Sequence, residues 1–299
     1  MNIPSATTTH PDPGRDTGRG ERDTTVATPR SAPMGRLLDT ELRWVLRRPR
    51  TLVMLGVFAL VPVLISVGVA VAGSRPGAGL IGQIGGNGLV LPIAAITLAL
   101  TLLLPLAVAM AAADAIAGET ASGTLRGLLI SPVGRLRLVV MKAFGVFVVA
   151  VLATLVIAVV GVVAGLVVVG GADGQLVTLS GTSVGLGSAL GRVALVVGWA
   201  VVQLAAVGAI ALAISACTEH PLVVLASVLG GLIVFGVLGA IPSLNWLQPY
   251  LLTSGWGSGA DALRDPLPLG GLLESTWRAL CYLAVGAGLT TYRMIRRDA

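Results

Sequence analysis

The sequence predicts an all-α membrane protein with six transmembrane helices. Of its 299 residues, 55% are hydrophobic and only 11% are charged, and the mean hydropathy is +0.91. Soluble domains carry about 25% charged residues. The apolar residues also occur in runs near or above the ~20 residues that a helix needs to cross ~30 Å of hydrocarbon. Composition and run length together exclude a soluble globular domain.

The chain begins with a polar tail, residues 1–33, which is rich in Thr, Pro, Gly, Asp and Arg and has no aromatic residue. Such a composition predicts disorder. The tail lacks the apolar core of a signal peptide and is expected to stay in the cytosol. Residues 34–50 carry apolar side chains at helical spacing among arginines, which predicts an interfacial amphipathic helix. Those apolar residues are Met34, Leu38, Leu42 and Val45.

The transmembrane domain is predicted to cover residues 51–292, followed by a short tail, residues 293–299. Its spans are placed at about 51–73, 89–113, 143–169, 191–216, 221–241 and 272–292. An even number of spans puts both termini on one side of the membrane. Sixteen of the 20 basic residues then fall on that side and four on the other, namely Arg75, Arg192, Arg264 and Arg278. The positive-inside rule therefore predicts that both termini are cytoplasmic.

Residues 244–263, after the fifth span, are semi-apolar and rich in aromatic side chains. They are too short to span the bilayer and too apolar for open water, which predicts a re-entrant or interfacial segment. Gln203, deep in the fourth span, either hydrogen-bonds a neighbouring helix or lines a substrate path. Its companions in such a path are predicted to be Trp246, Tyr250 and Trp256.

The sequence predicts no catalytic, cofactor or metal site on this chain. Its single lysine, Lys142, follows Met141, so no Gly-Lys-Ser/Thr phosphate loop is possible. The two histidines, His10 and His220, do not form a zinc or protease motif, and Cys217 and Cys281 are far apart in the sequence.

A charged segment, residues 114–142, separates the second and third spans. Its apolar residues fall on one helical stripe, Ala121, Leu125, Leu128 and Leu129. Glu119, Ser122 and Arg126 share another face, and Pro132 and Gly134 end the helix. A basic cluster of Arg135, Arg137 and Lys142 follows. The pattern predicts a short lateral docking helix.

Residues 119–142 resemble the signature region of ABC-2 type ABC transporter permeases. The resemblance is carried by Glu119, Ser122, Gly123, Thr124, Leu125, Arg126, Leu128, Leu129, Ser131, Pro132, Val133, Gly134, Arg135 and Lys142. The run from Pro132 to Arg135 is similar to that of drug and antibiotic exporters of the daunorubicin type. The resemblance implies that residues 114–142 form a cytoplasmic coupling helix on a separate ATP-binding subunit. Glu119 and Arg126 would then be docking contacts, and Pro132 would set the exit angle of the third span.

The resemblance further implies an exporter in a bacterial plasma membrane. Two ATP-binding subunits would carry ATP and Mg²⁺, and a second permease, identical or related, would complete the pathway. The membrane lipid is the other expected partner, and no nucleic acid is expected. The apolar spans favour a lipophilic or amphipathic cargo. Two alternatives stay open at this point, a self-contained secondary transporter and a non-transporting immunity or regulatory protein of the membrane.

Overall fold

The computed structural model describes residues 35, 43, 47, 49–72, 87–118, 121, 135–170 and 176–296. Its helices are α1 (Pro49–Ala72), α2 (Leu91–Thr101), α3 (Leu103–Ala113), α4 (Arg135–Ala164), α5 (Leu186–Ser215), α6 (Pro221–Ala240) and α7 (Leu269–Arg296). The predicted tail lies outside the described residues. Of the predicted amphipathic helix, Gly35, Arg43, Arg47, Pro49 and Arg50 are described, and all of them are helical and exposed.

Shorter elements connect these helices. Three are 3-10 helices, Gly88–Val90, Pro242–Tyr250 and Leu252–Leu263, and two are π-helical turns, Asp114–Gly118 and Gly165–Val169. The strands β1 (Leu176–Val177) and β2 (Ser183–Val184) form a small antiparallel hairpin in which Leu176 pairs with Val184.

Four of the described helices are long and apolar enough to cross a membrane, namely α1, α4 with its π-helical extension, α5 and α6. The helices α2 and α3 form a fifth span if the bent pair is taken as one. The sixth predicted span falls on α7, which has 28 residues but is not apolar enough to be counted with the others by composition. The described residues therefore support four or five spans.

The predicted second span is broken at Leu102, where α2 and α3 meet at an angle of 54°. Pro105 explains the break, because it has no N–H to give to the carbonyl group of Thr101 and its ring crowds that carbonyl group. The Oγ1 of Thr97 also donates to the carbonyl oxygen of Ile93 at 2.8 Å, a bond of the kind that bends helices. A hydrophobic run shows length but not this bend.

The bent pair and α5 form the centre of the bundle. Leu91, Ile96 and Leu104 of α2 and α3 are completely buried, as is Leu204 of α5. By contrast, α1 and α6 lie outside, and only 17% and 11% of their most apolar stretches are buried. Their outer faces are apolar, as lipid contact requires.

Glycines bring α5 close to its neighbours. A Cβ atom on Gly286 of α7 would lie 2.6 Å from the backbone carbon of Ala209 in α5. A Cβ atom on Gly208 would lie 2.9 Å from Val146 of α4 and 3.0 Å from Val108 of α3. Small residues at these positions allow the helices to pack at short range.

The helices alternate in direction, so the bundle has two ends. We call the end that holds Arg50, Asp114 and Ser215 the proximal end. There Arg50 forms an ion pair with Asp114, and the N–H of Ala117 donates to Ser215. The opposite, distal end holds Gly88, whose N–H donates to the carbonyl oxygen of Gly170 at 3.0 Å. Arg192 lies at this distal end as well.

Candidate functional site

The proximal end carries the two attachment points of the predicted coupling region. At the start of that region, Asp114 forms an ion pair with Arg50 at the start of α1, with Nη1 2.9 Å from Oδ2. Both side chains are partly exposed, 59% for Arg50 and 26% for Asp114, so water weakens the attraction. The pair nevertheless ties the start of α1 to the end of α3.

A second contact at this end is buried. The backbone N–H of Ala117 donates to the Oγ of Ser215 at 3.0 Å, and Ser215 is the last residue of α5. Neither residue is exposed. The π-helical turn that leads into the coupling region is thus attached to both α1 and α5.

Most residues of the predicted coupling helix lie outside the described part of the chain. These are Glu119, Ser122, Gly123, Thr124, Leu125, Arg126, Leu128, Leu129 and Pro132. Ala121 alone of the stretch 119–134 is described, as helical and exposed, and Arg135 begins α4. The docking roles of these residues therefore stay predictions.

Lys142 lies inside the bundle. The helix α4 begins at Arg135, eight residues before the predicted start of the third span at 143, so Lys142 falls in its second or third turn. Its side chain is only 6% exposed. Lys142 is therefore buried in the described structure, and its role at an ATP-binding subunit stays a prediction.

The residues predicted for a substrate path fall into two groups. Gln203 is completely buried, and its side-chain amide has no hydrogen-bond partner within the described ranges. Trp256 is 6% exposed, and its Nε1 likewise lacks a partner there. Trp246 and Tyr250, in contrast, are 68% and 67% exposed. The structure places only Gln203 and Trp256 in the interior.

The segment after α6 inserts between helices at the distal end. A Cβ atom on Gly259 would lie 2.9 Å from the ring of Trp199 and 3.0 Å from the Oγ1 of Thr97. Trp199 is seven residues along α5 from Arg192, which corresponds to about 10 Å at 1.5 Å per residue. The 3-10 helix Leu252–Leu263 therefore reaches about 10 Å into the bundle from the level of Arg192.

No role was predicted from the sequence for Trp199 or Ser275, whose polar groups meet at the depth reached by this 3-10 helix. The Nε1 of Trp199 donates to the Oγ of Ser275 at 2.9 Å, and Ser275 is 1% exposed. A Cβ atom on Gly255 would lie 2.5 Å from the Cβ of Ser275. The spacing of Gly255 and Gly259, four residues apart around Trp256, is the sequence signal that could have indicated such a close approach.

A polar pocket of about 250 Å³ lies beside this segment. Its central side chain is Arg278, which is 10% exposed. The guanidinium donates to Glu274 at 2.8 Å, to the carbonyl oxygen of Leu251 at 3.0 Å and to the Oγ of Ser254 at 2.5 Å. Arg278 is therefore engaged in holding the inserted segment against α7.

Arg192 performs the same task on the other side of the segment. Its guanidinium donates to the carbonyl oxygens of Ala262 at 3.0 Å and Arg264 at 2.7 Å. It also forms an ion pair with Asp265 at 3.0 Å, and Thr182 of the hairpin loop donates to the same carboxylate at 2.9 Å. Arginines at the distal end thus serve as structural anchors.

Within the described residues, no three His, Cys, Asp or Glu side chains come together as a metal site would require. The polar contacts described above lie at the two ends of the bundle. The interior between these ends is apolar, with isolated polar groups such as the amide of Gln203.

Residues 37–218 match the family model described as "ABC-2 family transporter protein". The match covers more than half of the chain, from the predicted amphipathic helix to the end of α5. The chain belongs to the ABC-2 family. It is a multi-pass membrane protein and the membrane component of an ABC transporter, a non-catalytic subunit that works with an ABC ATP-binding subunit. No similar protein was found among curated proteins.

The ABC-2 match contains the segment 119–134 and both of its attachment points. The resemblance deduced from the sequence is thereby confirmed at the level of the family. The assignment to exporters of the daunorubicin type stays a prediction.

Proposed function

We propose that this ABC-2 permease is the membrane subunit of an exporter driven by ATP hydrolysis on separate subunits. Two ATP-binding subunits would bind ATP and Mg²⁺, and a second permease, identical or related, would complete the pathway. The observation that carries the proposal is the family match across residues 37–218, which includes the coupling region. A permease without its own nucleotide site must receive work through a protein contact.

The attachment points supply a route for that work. A push on the segment 119–134 acts first on the turn Asp114–Gly118. From there the bond between Ala117 and Ser215 leads to α5, and the ion pair between Arg50 and Asp114 leads to α1. Small displacements at such a site are converted into rigid-body tilts, because packed helices do not deform continuously.

The proposed topology has six spans, with α7 as the sixth and both termini in the cytosol of a bacterium. One face of α7 is buried along the bundle, including Ala279 and Gly286. Its last turn carries Arg293 and Arg296, as the cytoplasmic end of a span does. The proximal end would then face the ATP-binding subunits, and the inserted segment would lie near the outer face.

The cargo is proposed to be lipophilic or amphipathic. Its path would pass Gln203. The buried amide of Gln203 has no hydrogen-bond partner among the described residues, so it would be able to pair with a polar group of the cargo. Trp256 would lie beside it in the interior, whereas the exposed Trp246 and Tyr250 would meet the cargo at the exit or contact headgroups.

The test is to reconstitute the permease in liposomes together with an ABC ATP-binding subunit whose gene lies next to the gene of the permease. Glu119→Arg is expected to weaken association or to uncouple ATP hydrolysis from transport. Glu219→Arg is the matched control, because Glu219 is an exposed carboxylate in the turn between α5 and α6 at the same end. The control is expected to retain coupling.

Three other results would contradict the proposal. If no ATP-binding subunit associates and transport depends on a proton or sodium gradient, the chain is a secondary transporter. If no transport occurs with any energy source, an immunity or regulatory role is favoured. If both charge reversals impair coupling equally, Glu119 has no special docking role.

A further inference from the structure

An apolar groove of about 350 Å³ opens on the side of the bundle between α4, α5 and α7. Aromatic residues of α4 form one wall, Phe144 and Phe147, and Leu212 of α5 forms the back. The third wall is Ala287 and Thr290 of α7. The hydroxyl of Thr290 donates to the carbonyl oxygen of Gly286 in its own helix, so the groove offers hydrocarbon almost throughout.

The groove lies in the proximal half of the bundle. On α4 it runs over nine residues, from Val139 to Phe147, and the eight rises between them correspond to about 12 Å along the helix. Half of the ~30 Å hydrocarbon core is about 15 Å. The groove therefore fits within one leaflet of the membrane, on the side of the proximal end.

Two arginines lie just beyond the proximal mouth of the groove. Arg137 precedes the lining residue Val140 by three positions on α4, and Arg293 follows Thr290 by three positions on α7. Residues three apart share a helix face. Because α4 and α7 run in opposite directions, both residues lie about one turn beyond the same end of the groove. Arg137 is half-buried and Arg293 is exposed.

We propose that this groove binds one acyl chain of an anionic phospholipid, whose phosphate lies between Arg137 and Arg293. The occupant comes from the bilayer itself, which surrounds this face of the chain. A cationic mouth above an apolar slot matches the two parts of such a lipid, and basic clusters at the ends of membrane helices attract anionic headgroups. The inference is independent of ATP-driven export, because it concerns the permease alone.

The experiment is native mass spectrometry of the full-length permease in detergent with equal amounts of phosphatidylglycerol and phosphatidylcholine of the same chain length. The wild type is expected to retain phosphatidylglycerol preferentially. Replacing Arg137 and Arg293 together by Gln is expected to lower that preference about fivefold for each arginine. Replacing both by Lys should keep most of the preference, because the positive charge remains.

Arg264→Gln is the matched control for charge, since Arg264 is exposed at the distal end. It is expected to leave binding unchanged. Equal retention of the two lipids by the wild type, or equal losses in the control and the double variant, would overturn the proposal.

The apolar half of the proposal is tested by filling the groove with Ala287→Phe. The exposed Ala226 of α6 lies outside the groove, so Ala226→Phe is the control. Only the first variant is expected to lose bound phosphatidylglycerol. If Ala287→Phe instead converts a dimer into a monomer without changing bound lipid, a second copy of the chain occupies the groove and the lipid assignment is wrong.

Discussion

Ala117 and Ser215 are 98 positions apart in the sequence, yet the backbone N–H of the first donates to the side-chain oxygen of the second at 3.0 Å. The bond joins the turn after α3 to the last residue of α5. It is buried, so water does not compete for it. A movement that passes from the segment 119–134 through the turn Asp114–Gly118 meets this joint on its way to α5.

Ser215→Ala tests the joint. The substitution removes the acceptor of the Ala117 N–H, and we expect the permease to lose about 1 kcal/mol of stability. In the reconstituted transporter, ATP hydrolysis should continue while transport falls. Ser227→Ala is the control, since Ser227 is exposed on α6. Equal transport by both variants would show that the joint does not transmit movement.

Gly286→Ala tests the contact between α5 and α7. The added Cβ atom would lie 2.6 Å from the backbone of Ala209, which cannot move aside as a flexible side chain would. Overpacking of this kind costs about 1 to 3 kcal/mol. Gly288→Ala, two residues away, meets nothing within 4 Å and should be neutral or slightly stabilising. Thermal unfolding in detergent compares the two, and equal midpoints would contradict the described packing of α7.

Arg192→Gln tests the anchor of the inserted segment. The variant loses the donors to two carbonyl oxygens and the ion pair with Asp265, and we expect a loss of about 2 to 3 kcal/mol. Arg192→Lys should restore only part of it, because an ammonium group lacks the guanidinium fork. Arg264→Gln should change stability by less than about 0.5 kcal/mol, since Arg264 is 62% exposed and 3.5 Å from Asp261. A loss as large in Arg264→Gln would argue against a special role for Arg192.

Gln203→Leu separates a structural role from a place in the cargo path. No partner of the amide is present among the described residues, so the substitution should leave stability unchanged or raise it by about 1 kcal/mol. Transport should fall several-fold, and Gln203→Met should behave in the same way. A clear loss of stability instead would indicate that the amide pairs with another subunit, and Gln203 would then be removed from the proposed path.

Much of this architecture could be predicted from the sequence. The fifth predicted span, 221–241, agrees with α6 (Pro221–Ala240) within one residue at its C-terminal end, because Pro221 and the apolar run bound it clearly. The inserted segment could be identified because Trp246–Trp256 is too short to span and too apolar for water. The depth of its insertion could not be predicted, because it depends on how closely Gly259 approaches Trp199 of α5, far away in the sequence.

The site was harder to predict. Gln203 and Trp256 are buried, whereas Trp246 and Tyr250 are exposed although they too are aromatic residues of the same predicted segment as Trp256. Likewise, the sequence groups Lys142 with Arg135 and Arg137 in a basic cluster before the third span. In the structure α4 already begins at Arg135, and Lys142 is buried inside the bundle. A side chain's type does not tell which face of a helix will be covered.

The sequence by itself determined that this chain is an integral membrane protein of the ABC-2 family. The length of its apolar runs and its local motifs are properties of contiguous residues. The tertiary structure decided where α2 and α3 bend, which glycines allow close packing and how Ala117 meets Ser215. Those features arise between residues far apart in the chain. Apolar spans have nearly uniform composition, so the sequence contains little information on which of their faces meet.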